Sequence, residues 1–438
     1  MPVLPNNIIQ FLQPFSIVFH TNKTFVKLLI LFSGSLLCQG GRTVCACLRA
    51  LGMHGEKAFS NYHHVLNRCK WSSLKAAKVL IKQLLPFTNG ELVLIVDEHL
   101  ERRNGAKIKT KSIYRDAVSS SASWLVKCWG IKWVVLSCLI KFPWSTRSFA
   151  LPFFCVIVIP KNHKIHKKRK YRTGIDIICQ MLYCVRKWLP QIPINLVGDG
   201  EYAKVKLAKT CIKLQINLIA RMRVDARLHD FPGKYKGLGR YPKIGLRLTK
   251  KDIPPQKQNV AWYGGRIKEV RTHFKHCLWQ AGKSGTLIPV FAGWVQLRED
   301  DEFILVSVGG SSTLSAKKTV ELYISRWNLE VTFRECREYL GIQTQRQWSD
   351  LAITRTSPLI FGSYTLVTII GHFLWKTQDI IPLRTAWYNK QQLTFSDMLQ
   401  AVRKEIWKHR SNSGKKGEFE KVFTESTLLY EYLSAADF

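Results

Sequence analysis

The chain predicts a mixed α/β fold in which one strand-and-helix core is interrupted by a β-rich insertion and preceded by a helical module. Two near-continuous apolar runs, 91–97 and 194–199, each close on an acid, the pattern of strands buried on both faces. Three strand-like runs, a helix, a strand and a helix follow one another between residues 91 and 208, which fits helices covering a sheet. A helix-period segment around residue 330 then comes after a long stretch of short β-type runs rich in Gly, Pro and Lys/Arg.

Residues 24–85 read as several short helices, with apolar positions at mixed three and four spacings and breaks at Gly34, Gly40, Gly41, Gly52 and Asn61. This block carries Arg42, Arg49, Lys57, His63, His64, Arg68, Lys70 and Lys75. A small DNA-binding module and a helical scaffold bracing the next domain both satisfy that pattern. Strands are predicted at 91–97, 133–140 and 150–159, a dense basic loop at 161–172, and an amphipathic helix over 173–188. A strand at 194–199, a helix through Ala208 and a strand at 216–221 complete this part. From 224 to 310 the β-type runs are 270–277, 286–296 and 303–308. The apolar helix at 359–375 is shorter than the about 20 residues a membrane span needs, which makes it a core helix. The tail from Arg403 is charged, and is rich in Ser, Gly and Lys around 411–417.

Composition narrows the partner. Among 438 residues, 67 Lys and Arg stand against 30 Asp and Glu, a net charge of +37 that repels itself unless a polyanion shares the surface. Nucleic acid is the expected partner, and 14 Trp and 14 Tyr beside these bases suit stacking. With 46% hydrophobic residues the chain is no disordered tail. Its 12 cysteines lack the paired spacing of a zinc site and read as reduced thiols of a cytoplasmic protein. No membrane segment is expected.

The segment 323–337 is the most specific. At about 100° per residue, Arg326, Glu330 and Arg337 fall at roughly 300°, 340° and 320° from Tyr323, one narrow stripe of a helix. Leu322, Leu329, Phe333 and Leu340 form an apolar band beside it, so Glu330 sits at the edge of a core, flanked by cations. An ordinary i,i+4 ion pair of Arg326 with Glu330 explains the spacing equally well in isolation. Likewise Asp97 or Asp199 alone reads as a cap on the following turn. Together, three acids reaching one sheet edge from separate elements suit hard divalent ions, which activate a nucleophile and stabilise a leaving oxygen in phosphodiester cleavage.

The order Tyr323, Arg326, Glu330 and a base at 337 resembles the signature around the last carboxylate of DDE-type insertion-sequence transposases, in which Lys is usual where Arg337 stands. The runs 330–341 and 343–355 look like one bacterial branch of that family. The blocks 97–105, 113–120 and 197–203 are similar to its blocks at the same relative positions. The resemblance spans about residues 32–371. The family commonly follows its first Asp with Asp-Thr, whereas Glu98 and His99 stand here.

The resemblance implies a ribonuclease H-like core. It divides the chain into a helical N-terminal DNA-binding module (1–88), a first part of the catalytic core (89–223), a β-rich insertion (224–310), a second part with the Glu330 helix (311–375) and a helical, basic tail (376–438). It implies that Asp97, Asp199 and Glu330 are catalytic and hold two Mg²⁺ or Mn²⁺ ions. Tyr323, Arg326 and Arg337 would contact DNA near the cleaved bond. Lys167, Lys168, Arg169 and Lys170 of the basic loop would track phosphates. The implied activity is transposition, with cleavage at terminal inverted repeats and strand transfer into target DNA by a homodimer on double-stranded DNA in the bacterial cytoplasm. A catalytically inactive relic and another ribonuclease H-like nuclease are the competing readings.

Overall fold

The computed structural model describes residues 4–116, 119–121, 123–167, 170–235, 237, 239–282, 285–298, 301–310, 314–382 and 384–413. Lys168 and Arg169 of the predicted phosphate track therefore lie outside the described residues. Five helices come first: α1 (Asn6–Leu12), α2 (Asn22–Leu37), α3 (Val44–Ala50), α4 (Ser60–Asn67) and α5 (Ser73–Leu84). Side-chain oxygens of Thr21, Thr43 and Ser72 cap α2, α3 and α5, so the short helices are each started by a local signal.

The first sheet strands are β1 (Leu92–Arg102), β2 (Ser112–Arg115), β3 (Lys127–Lys141) and β4 (Ser148–Val158). Then come α6 (Gly174–Trp188), β5 (Ile194–Gly198), α7 (Val205–Lys213) and β6 (Ile216–Met222). Thr173 and Asp176 close a capping box on α6. β3 runs antiparallel to both β1 and β4, whereas β1, β5 and β6 are parallel neighbours. The order β4-β3-β1-β5-β6, antiparallel on one side and parallel on the other, is the ribonuclease H-like core that the resemblance implies.

The later strands are β7 (Leu228–His229), β8 (Gln256–Ala261), β9 (Ile267–Ala281), β10 (Thr286–Arg298) and β11 (Asp301–Val308). They extend the same sheet, because β11 pairs antiparallel with β6 and is followed outward by β10 and β9. The β-rich segment is thus continuous with the core. It also has an apolar cluster of its own, in which Val260, Val270, Val295, Phe303 and Leu305 meet Val320 and Ile324.

The last helices are α8 (Ala316–Ser325), α9 (Trp327–Leu340), α10 (Asp350–Thr377) and α11 (Phe395–Ser413). Sequence periodicity predicts one helix through 323–337, but the structure breaks it at Arg326. Val320 and Ile324 of α8 join the cluster under the insertion, while Leu322 of α8 and Leu329, Phe333 and Cys336 of α9 join the main core. Gly341, at φ 66°, ends α9 in the left-handed conformation that favours glycine. At 28 residues α10 is longer than the apolar stretch 359–375 and, by length and composition, enough to cross a membrane, but most of it is buried inside the protein, so burial and not length makes it a core helix.

Arg355 of α10 fastens the N-terminal helices to this frame. Its guanidinium donates to the carbonyls of Val65, Leu66 and Trp71 and lies 4.6 Å from the Trp71 ring centroid. Arg355→Ala leaves those carbonyls without their donor, and we expect a loss of about 3 kcal/mol in urea unfolding. A loss below about 1 kcal/mol would remove this residue from its fastening role.

Candidate active site

The backbone brings Asp97 and Asp199 together. β1 and β5 run in parallel with Ile95 opposite Val197, and this pairing ends two residues before both acids. β5 stops at Gly198, but β1 continues to Arg102 against β3, so Asp97 lies inside its strand and does not end it as the sequence pattern suggests. The apolar run ends at Asp97 because the parallel neighbour ends there, while hydrogen bonding to β3 carries the strand on. Asp199 does cap the following turn, its Oδ1 accepting the Glu201 amide at 2.9 Å.

Arg326 joins the first and third acids. Its Nη1 lies 3.1 Å from Asp97 Oδ2 and 2.8 Å from Glu330 Oε1, one nitrogen bridging two carboxylates. The i,i+4 pair expected of an isolated helix is therefore real, and it is extended to the sheet. The Asp97 side chain is 17% exposed and that of Glu330 34%, so the group is accessible from one side. Burial pushes the Asp97 carboxyl up to about 7; repulsion from Asp199 and Glu330 adds to this, while Arg326 and the Glu98 amide oppose it. Burial also raises Asp199. Burial alone would lower Arg326, but attraction to Asp97 and Glu330 leaves it raised.

Glu98 and His99, where the sequence departs from the family pattern, stand outside the carboxylate group. Glu98 pairs with Lys132 at 2.6 Å and packs against Gly174 at the start of α6. His99 is buried between Phe333 and Phe361, at ring distances of 4.8 and 5.4 Å, and burial, aided by Arg337, pulls it down to about 3. It is a neutral core residue.

The other anticipated contacts are spread more widely. Tyr323 is half-buried, its ring 5.8 Å from that of Phe303. Arg337 stands near the far end of α9, about two turns beyond Glu330, exposed and with Arg102 near it. Lys167 ends a 3-10 turn of the basic loop and Lys170 is exposed. Two neighbours were not singled out by the sequence. Tyr202 is buried against Gly198, and burial, with Asp97, Glu98 and Asp199 near it, raises its phenol well above the ordinary value. Tyr263 from the insertion lies 6.0 Å from Trp327, and both rings are part-exposed beside Arg326. The Tyr-Gly-Gly turn at 263–265 is its only local signal, because its partner is 64 residues away.

Carboxylate oxygens of this kind suit Mg²⁺ or Mn²⁺, and the raised Asp97 and Asp199 mark a group short of positive charge. Among the described residues no three acids, histidines or cysteines are placed to hold one ion, and the Arg326 nitrogen lies between Asp97 and Glu330. The donors fit in kind. To hold an ion, Asp97 and Glu330 would have to part from Arg326.

Residues 14–286 match the family model described as DDE superfamily endonuclease, and the chain belongs to that family. The matched segment contains Asp97 and Asp199 and ends before Glu330. Among solved structures, the chain is similar to a piggyBac transposase synaptic complex with hairpin DNA, at 10% identity and a TM-score of 0.41, over 96% of this chain and 81% of that one. No curated protein matches it.

With its carboxyl at about 7, folded Asp97 keeps a proton between roughly pH 4 and 7 that the unfolded chain has released. Stability from this group is therefore lost as pH rises through that window and is level on either side. In EDTA, we expect melting of Asp97→Asn to gain on the wild type between pH 5 and 7.5 and then run parallel to it. Parallel curves throughout would show that Asp97 titrates as an ordinary carboxylate.

Proposed function

We propose that this DDE endonuclease is a DNA transposase of the bacterial branch whose motifs it resembles. It binds the terminal inverted repeats of its own element, hydrolyses a strand at each end and joins the freed 3′ ends to target DNA. The observation that carries this reading is the meeting of Asp97 and Asp199, at the end of the β1–β5 pairing, with Glu330 across the Arg326 bridge. In open α/β sheets such a position is where ligands collect.

Asp97, Asp199 and Glu330 would hold Mg²⁺ or Mn²⁺, two ions per site; when bound, the metal makes a water or 3′-hydroxyl nucleophilic and stabilises the leaving oxygen. The chain's own residues position the DNA. Arg326, once released from the acids, would face a phosphate, Tyr323 lies near Arg326 and Asp199, and Arg337 lies farther along α9. Lys167, Lys168, Arg169 and Lys170 extend the basic surface. The N-terminal helices bind the element ends, two chains act on paired ends, and the protein works in the cytoplasm on nucleoid DNA. The net charge of +37 supports such a polyanionic partner.

The decisive assay uses a supercoiled plasmid carrying the gene with its native flanking DNA. We expect Mg²⁺- or Mn²⁺-dependent nicking at the element boundaries, reduced at least a thousandfold by Glu330→Gln; equal nicking by both proteins would overturn the assignment. Because Glu98 engages Lys132 and α6, Glu98→Gln should retain cleavage within about threefold. A loss as deep as that of Glu330→Gln would place Glu98 in the reaction and contradict this account.

A further inference from the structure

The β2 edge of the sheet carries an aromatic and basic surface separate from the carboxylate site. Ile113, Trp124, Leu125 and Trp129 are 53%, 72%, 56% and 41% exposed respectively. Isolated exposed apolar residues are ordinary, but four on one hairpin and its loop are not. Ile113 pairs with Trp129 across the strands, and the Lys111 ammonium sits 4.7 Å from the Trp129 ring centroid. Arg115 faces Lys127 directly, like charges that destabilise the pair unless an anion lies over them. Residues 102–132 hold eight Lys and Arg and one acid, Asp116, which already pairs with Arg102.

The surface is aligned with the site. Asp97 lies opposite Val135, and alternation along β3 puts Lys127 and Trp129 on the same sheet face as Asp97. Six residues of strand separate Val135 from Trp129, about 20 Å, or about six base steps of DNA.

We propose that this edge binds DNA with unpaired bases about six nucleotides from the cleaved phosphate, Trp124 and Trp129 stacking on the bases while Lys111, Arg115 and Lys127 take the phosphates. The inference rests on the reading of DNA as the partner. A duplex presents mainly phosphates on its outside and gives the tryptophans little to cover, whereas every unpaired base offers a flat face. A second copy of the chain would bring two positive edges together.

The test is fluorescence anisotropy in EDTA with a labelled thymidine 15-mer and a 15-base-pair duplex. We expect W124S/W129S to weaken binding of the single strand at least tenfold and that of the duplex less than twofold, with an unchanged melting temperature. K111A/K127A, which leaves the apolar residues in place, should weaken single-strand binding and flatten its salt dependence by about one unit of slope. Unchanged single-strand affinity in both variants overturns the inference while leaving the transposase reading intact. A wild type that binds neither probe overturns both. Loss of a dimer in W124S/W129S without loss of DNA affinity would reassign the surface to self-association.

Discussion

A carboxylate set inside a sheet strand has to be given a cation, and much of this molecule is arranged around that need. Asp97 leaves its parallel neighbour at the point where β5 ends, too deep for water to stabilise its charge fully. Arg326 supplies the positive charge from the joint between α8 and α9. On either side of this joint α8 packs on both apolar clusters, with Val320 and Ile324 beneath the β-rich segment and Leu322 in the main core, while α9 packs on the main core alone. The insertion therefore contributes to the site mechanically, by seating α8, as well as through Tyr263.

The Arg326 bridge also reconciles two readings of the same helix. As a structural pair, Arg326 and Glu330 neutralise one another at the edge of the core. As part of the candidate site, the same nitrogen holds Asp97 and Glu330 together, a spacing that like charges would otherwise oppose. In the proposed reaction a divalent ion would take the carboxylates and a DNA phosphate the guanidinium, so that neither side would be left without a partner.

Much of the core was legible in the sequence because its signals are local. The apolar runs ending at Asp97 and Asp199 mark strands, the Thr173 and Asp176 capping box marks α6, and the 3.6-residue spacing of Leu329, Phe333 and Leu340 marks the buried side of α9. What escaped were features set by distant partners. The continuation of β1 past Asp97 depends on β3, the bridge from Arg326 to Asp97 joins residues far apart in the chain, and the approach of Tyr263 to Trp327 depends on how the insertion folds back. The surroundings of Glu98 and His99 are likewise set by distant partners, Glu98 meeting Lys132 and His99 lying between two phenylalanines.

The most direct test of this account is a crystal structure of the protein with a DNA end and Mn²⁺, with anomalous scattering used to place the metal. The account predicts anomalous peaks among the carboxylates of Asp97, Asp199 and Glu330, with the Arg326 guanidinium turned from Glu330 to a phosphate. Peaks elsewhere, or Arg326 still bridging Asp97 and Glu330 with DNA and metal bound, would contradict it.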